Sequence, residues 1–137
     1  MRMIVVVTIV LLVISIIGIW AIKNYVSVGF ADKVTLRYHT EDKKIDIVLT
    51  DADDISELKS MFKGIAIRDN PSCGFTLDIS LTFSKGDKSV TLCPAAGDKC
   101  PILRVNDTNR YISITDKQRQ CFEEILGKYE VTLPAAY

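Results

Sequence analysis

From Met3 to Ile22 the chain carries no charged side chain: MIVVVTIVLLVISIIGIWAI. Twenty residues in a helix rise about 30 Å, the thickness of a bilayer's hydrocarbon core. The sequence therefore predicts a transmembrane signal-anchor helix over residues 3–22, with everything after it on one side of a membrane. Trp20 and Tyr25 stand near its far end, where amphipathic aromatic rings favour the membrane interface. A cleaved signal peptide is the competing reading. It would use the small residues Gly29 and Ala31 around Phe30, with a cut ahead of Asp32. The apolar run exceeds the usual h-region of about 7–15 residues, which favours an uncleaved helix. The first cysteine is Cys73, so no cysteine is placed for lipidation at such a cut.

Two arguments about orientation oppose each other. A short tail carrying Arg2, followed at once by the apolar run, has the layout of a signal anchor that leaves the domain outside the cytoplasm. The charge rule counts Lys23, Lys33 and Arg37 after the helix against Arg2 before it, and points the other way. So short a tail gives that rule little to count, and the signal-anchor layout is preferred. The expected location is the cell membrane, single-pass, with an extracytoplasmic domain.

The 137-residue chain has 17 basic and 17 acidic residues. Arg2 and Lys23 flank the apolar run and every acidic residue lies from Asp32 onward, so the rest of the chain carries a net charge of −2. That balance, without a long block of one sign, lacks the basic footprint of a nucleic-acid-binding protein. About 105 residues remain after the anchor, the size of one small domain.

Residues 23–32 read as a short juxtamembrane connector, 33–130 as an α+β domain and 131–137 as a loosely packed tail. Val34, Leu36 and Tyr38 alternate with Thr35, Arg37 and His39, which is a half-buried strand, and Ile45–Leu49 returns as its hairpin partner. Thr50 or Asp51 then caps a helix with Ile55, Leu58, Met61 and Phe62 on one stripe, acidic residues early, lysines late and Gly64 as the stop. After a loop around Asn70–Gly74, Phe75, Leu77, Ile79, Leu81 and Phe83 alternate with polar residues. A turn over Ser84–Lys88 leads back along Ser89–Cys93. Ile102–Val105 and Arg110–Ile114 are two further short strands. Thr115 and Gln118 have capping-box spacing before a last helix with Phe122, Ile125, Leu126 and Tyr129 on its apolar stripe. The stretches from Ile45 and from Arg110 echo each other: strand, Thr-Asp cap, amphipathic helix. One apolar face per strand and one stripe per helix predict an antiparallel sheet with two helices on one face.

Cys73, Cys93, Cys100 and Cys121 allow three pairings. With a turn at Lys85–Lys88, Ser84 opposes Ser89, and continuing that ladder brings Cys73 level with Cys100. This is the preferred disulfide in an oxidising compartment. Cys93 has two rival partners. Cys100 would close a tight loop, and Cys121 would require a bulge or a strand-end twist because it faces the apolar side of the sheet. Cys121 also reads as a plain buried thiol. The sharper alternative is a metal site using Cys73, Cys93 and Cys100, but the nearest pair is spaced C-x6-C rather than C-x2–4-C and no histidine is near. A thioredoxin-type site lacks its C-x-x-C. No cofactor is expected.

Other motifs resolve into ordinary structure. Asp51-Ala52-Asp53-Asp54 resembles the start of an EF-hand loop, but no glycine stands at its sixth position and the twelfth is Phe62. His39, the only histidine, lies on a strand's polar face. The aspartates near turns suit turn chemistry. No phosphate-binding glycine loop, zinc-protease motif or nucleophile elbow is present. Asn106-Asp107-Thr108 is a formal glycosylation sequon, relevant only in a eukaryotic secretory pathway. No residue set singles out a catalytic role.

The segments Pro71-Ser72-Cys73-Gly74-Phe75, Cys93-Pro94-Ala95, Asp98-Lys99-Cys100-Pro101-Ile102, Tyr111-Ile112-Ser113-Ile114 and Ile125-Leu126-Gly127-Lys128-Tyr129 carry a resemblance. Over residues 45–130 the chain resembles small membrane-anchored proteins of Clostridia-type Gram-positive bacteria, a group with no assigned activity. The resemblance implies a bacterial source and no mechanism. Cys73, Cys93 and Cys100 fall in the loops of the resembling stretch and Cys121 in none of its matching segments, which fits a Cys73–Cys100 pair with Cys121 as packing. The function expected is a membrane-anchored binding or accessory module, with the membrane and another envelope protein as partners and no nucleic acid. The alternative is a cysteine-based metal or redox protein.

Overall fold

The computed structural model describes residues 2–95 and 100–133. The charge-free run forms helix α1 (Arg2–Asn24). Its apolar side chains from Met3 to Trp20 are exposed all round, so the helix makes no core with the rest of the chain. It is long and apolar enough to cross a membrane. The hydroxyls of Thr8 and Ser15 donate to the carbonyls of Ile4 (2.9 Å) and Leu11 (2.8 Å). That leaves neither hydroxyl without a partner.

The remainder is an α+β fold. In chain order come β1 (Tyr25–Ser27), β2 (Lys33–His39), β3 (Lys44–Val48), α2 (Ala52–Met61), β4 (Lys63–Ile65), β5 (Ile67–Arg68), β6 (Ile79–Lys85), β7 (Lys88–Pro94), β8 (Ile102–Val105), β9 (Arg110–Ser113) and α3 (Asp116–Lys128). Seven strands form one antiparallel sheet in the order β3-β2-β6-β7-β8-β9-β5, while β1 and β4 pair as a separate ribbon. The β6–β7 hairpin keeps the expected register, Ser84 opposite Ser89, and both strands run one residue further, to Lys85 and Lys88. The turn between them needs Gly86, whose φ of 56° lies in the left-handed region.

One face of the sheet presents Val34, Leu36, Leu81, Phe83, Leu92, Leu103 and Ile112, all buried. Against it pack Leu58, Met61 and Phe62 from the α2 segment and Phe122, Ile125 and Leu126 from α3. Phe62 joins the layers. Its ring meets Phe83 at 6.0 Å and Phe122 at 5.2 Å, both edge to face, the geometry that aromatic quadrupoles favour. Both helices start where capping chemistry predicts. Asp51 accepts from the backbone N–H of Asp54 at 2.9 Å. Thr115 and Gln118 close a full capping box, each side chain bonding the other's backbone N–H.

Four stretches differ from their sequence expectations. Residues 23–32 enter the fold instead of only connecting it: β1 pairs with β4, and Val26, Val28 and Ala31 are buried. Residues 63–68, read as the helix stop and a loop, contain β4 and β5; strands of two and three residues are too short to show a period. Strand β6 starts at Ile79, not Phe75. The Thr76 hydroxyl accepts from the Asp78 N–H and donates to its carboxylate, both at 3.1 Å. This local turn ends the alternation, leaving Leu77 exposed and Phe75 on the other face of the sheet. In the tail, Val131 and Leu133 join the core and Tyr38 Oη donates to the Thr132 carbonyl at 3.1 Å. The remainder of that expected tail, 134–137, lies outside the described residues.

Candidate functional site

The cysteines are placed by the two faces of the sheet. Cys73, on the loop before β6, is bonded to Cys100, just ahead of β8, with Cα atoms 6.6 Å apart. The ladder does not carry this pairing as far as the sequence suggests. Strands β6 and β7 stay paired back to Leu81–Leu92, and the chain rejoins through a single bridge between Phe75 and Ala95. The pair still meets because both hairpin strands end at that edge. Phe75 lies on Tyr111, ring centroids 5.2 Å apart, and the Asp69 N–H donates to the Asn109 carbonyl at 3.2 Å. The loop thus folds over one end of the sheet's second face. Buried Arg119 of α3 donates to the Cys100 carbonyl at 2.6 Å and to Glu123 at 2.9 Å.

Cys93 and Cys121 are free. Cys93 is buried on the second face beside Arg104, its partner across β7 and β8. Burial pushes its thiol above the ordinary value, and a hydrogen bond with Arg104 acts in the opposite direction. Cys121 lies at the α2–α3 contact and donates to Glu57 Oε1 at 2.9 Å. That hydrogen bond, with burial second, pushes its pKa up to about 11. Both thiols are therefore protonated at neutral pH and poor nucleophiles or ligands. They sit on opposite faces of the sheet, so neither a bulge nor a strand-end twist joins them, and Cys100 is taken by Cys73. A metal set of Cys73, Cys93 and Cys100 would require that disulfide to be open. Among the described residues, no three His, Cys, Asp or Glu side chains are grouped to hold a metal.

His39 lies on the second face as expected, with Nε2 at hydrogen-bond distance from Asp46. Arg37 Nε donates to the same carboxylate at 3.2 Å. His39, then Arg37, hold Asp46 below the ordinary carboxylate value. This is a cross-strand ion cluster between β2 and β3 near a shallow cavity of about 240 Å³ that Arg37, Thr82 and Thr91 help to line.

Comparison with protein-family models, curated proteins and solved structures found no match to this chain. What the chain does must follow from its own chemistry.

The most distinctive chemistry gathers at the foot of α1, where sequence reasoning placed only a connector. The Asn24 carbonyl, at the end of the helix, accepts from the Ala66 N–H at 2.8 Å and from Arg110 Nη2 at 3.4 Å. The helix is therefore tied to the domain by its last residue. Tyr25 and Ile65 face each other across β1 and β4 and are both exposed, as is Ile67. Ile67 and Arg68 share a cavity of about 540 Å³ with Trp20 and Asn24. A second cavity, about 340 Å³, opens between the helix end and the sheet and is lined by Lys23, Tyr25, Ser27, Lys88, Asn106 and Arg110 among others. Residues 23, 88 and 110 carry no common sequence signal; only the tertiary fold brings them together.

Proposed function

We propose that this chain is a single-pass membrane protein whose α+β domain stands outside the cytoplasm as a binding or accessory module for another envelope protein. The observation that carries the reading is α1. It is an apolar helix of membrane-spanning length, with its side chains unburied and its last carbonyl built into the domain. Exposed Trp20, Tyr25, Ile65 and Ile67 at its foot suit a domain seated against the interface. The Cys73–Cys100 disulfide supports the oxidising side of the membrane. The bacterial setting implied by the sequence resemblance belongs to the same proposal.

Expression of the full chain in bacterial cells tests it. The protein is expected in the membrane pellet after alkaline extraction, with residues 3–22 retained by mass. Protease added to spheroplasts should digest the domain. A soluble product beginning at Asp32, or a domain protected from protease, would overturn anchoring or orientation respectively. Crosslinking of the full chain in its native membrane is expected to give one discrete adduct with a second protein. A chain that stays monomeric with no adduct would count against the binding role.

A further inference from the structure

We propose that the cationic cavity at the foot of α1 binds the phosphate of an anionic glycerophospholipid headgroup, in the leaflet where the helix leaves the membrane. The proposal rests on the membrane reading above and adds a ligand to it. Lys23, Lys88 and Arg110 bring three cations to one cavity that no carboxylate lines. Among the described residues none of the three takes part in an ion pair. The Lys88 ammonium lies 4.2 Å from the centre of the Phe30 ring, a contact that leaves its charge unneutralised. Arg110 is held by the Asn24 carbonyl, and its buried Nε has no partner among the described residues. A phosphate oxygen is a strong, charge-assisted acceptor for the guanidinium N–H groups that line the cavity. Tyr25, Ser27 and Asn106 add polar groups around the rim. The two donors on the Asn24 carbonyl offset the negative end of the helix dipole, which would otherwise repel an anion.

Position selects a lipid over a soluble phosphate. Lys23 directly follows the apolar run, so the cavity lies at headgroup depth, where lipid phosphates are concentrated and basic pockets beside transmembrane helices collect anionic heads.

Trp20 is the chain's only tryptophan and reports on the lipids around the helix. The full chain would be reconstituted in mixed bilayers in which either phosphatidylglycerol or phosphatidylcholine carries brominated acyl chains, which quench tryptophan on contact. The expected result is that brominated phosphatidylglycerol quenches Trp20 at a mole fraction at least about fivefold lower, since one cation near the surface contributes roughly that factor. The Lys88→Gln/Arg110→Gln variant should cut that preference by at least about fivefold, leaving only the share of Lys23. Lys44→Gln, about 20 Å away at the start of β3 opposite His39, should leave the preference unchanged. If the double variant loses the parent's circular dichroism, Lys88→Gln alone carries the test, with roughly a fivefold loss of preference. Equal quenching by both lipids in the parent, or a preference that the double variant leaves undiminished, overturns the proposal and leaves the membrane reading intact. Quenching by neither lipid overturns both. Loss of the preference in millimolar inorganic phosphate would reassign the cavity to a soluble phosphate and overturn the lipid assignment.

Discussion

The two faces of the central sheet are held by different physics. The face under α2 and α3 is continuous apolar packing from Val34 and Leu36 across Phe83 and Leu92 to Leu103 and Ile112, with Phe62 locking both helices to it. The second face carries Thr35, Arg37, Asp46, Thr82, Thr91, Cys93, Arg104 and Tyr111. One part of it faces solvent, where Thr82 and Thr91 bond across the strands at 2.9 Å. The other is closed by the loop that Phe75 and the Cys73–Cys100 bond hold down. Area buried from water sustains the first face, and a few discrete links sustain the second. A change on the first should be felt by the whole fold, and one on the second mainly by its loop.

The largest expected effect falls on the helical face. Phe62→Ala should cost roughly 3–5 kcal/mol, through lost transfer energy and the cavity left between the Phe83 and Phe122 rings. The denaturation midpoint should fall with its slope unchanged. A loss comparable to that of a surface substitution would break the comparison. On the second face, Cys73→Ser/Cys100→Ser should cost about 2–4 kcal/mol by releasing a 27-residue closure. Hydrogen exchange should rise around Asp69–Asp78 while β2 and β6 keep their protection. Exchange rising equally in both strands would make the two faces one cooperative unit.

Smaller effects separate the faces by pH. On the helical side, the Cys121 pKa is raised from 9.0 to about 11. Its contribution to stability is therefore complete below pH 9 and lost as pH rises through about 11. Iodoacetamide labelling of Cys121 in the native chain should follow the higher value, and Glu57→Gln should move the profile down. Half-labelling near pH 9 in the parent would refute the Glu57 bond. On the open side, the lowered Asp46 contributes stability that is present above its unfolded value of 3.8 and lost as pH falls through its lower folded value. This smallest effect should disappear in Asp46→Asn and shrink in high salt, because both Arg37 and Asp46 are exposed. An acid limb unchanged by Asp46→Asn would show that the His39–Asp46–Arg37 cluster contributes nothing.

The helical face was readable from the sequence because its information is periodic. The stripe Leu58, Met61 and Phe62, the stripe Phe122, Ile125 and Leu126, the caps at Asp51 and Thr115 and the alternation around Leu81 and Phe83 each repeat at a spacing set by the backbone. Turn geometry also fixed the β6–β7 register back to Leu81–Leu92, though that ladder ends short of Cys73 and Cys100. The second face was less legible because its links are single events. A Thr76–Asp78 turn moves Phe75 away from the core face despite five residues in apparent alternation. Strands β1 and β4, three residues each, leave no period to detect. The meeting of Lys23, Lys88 and Arg110 depends on the whole fold, so nothing local announces it.

The Asn24 carbonyl has a mechanical consequence. Bonded to Ala66 and Arg110, and followed directly by a paired strand, the helix end has no hinge. A helix that spans a bilayer tilts when the hydrocarbon layer is thinner than its apolar length. If α1 spans a membrane, its tie to the domain through Asn24 makes such a tilt turn the domain with it, and a thinner membrane would swing the domain's far surface sideways like the head of a lever.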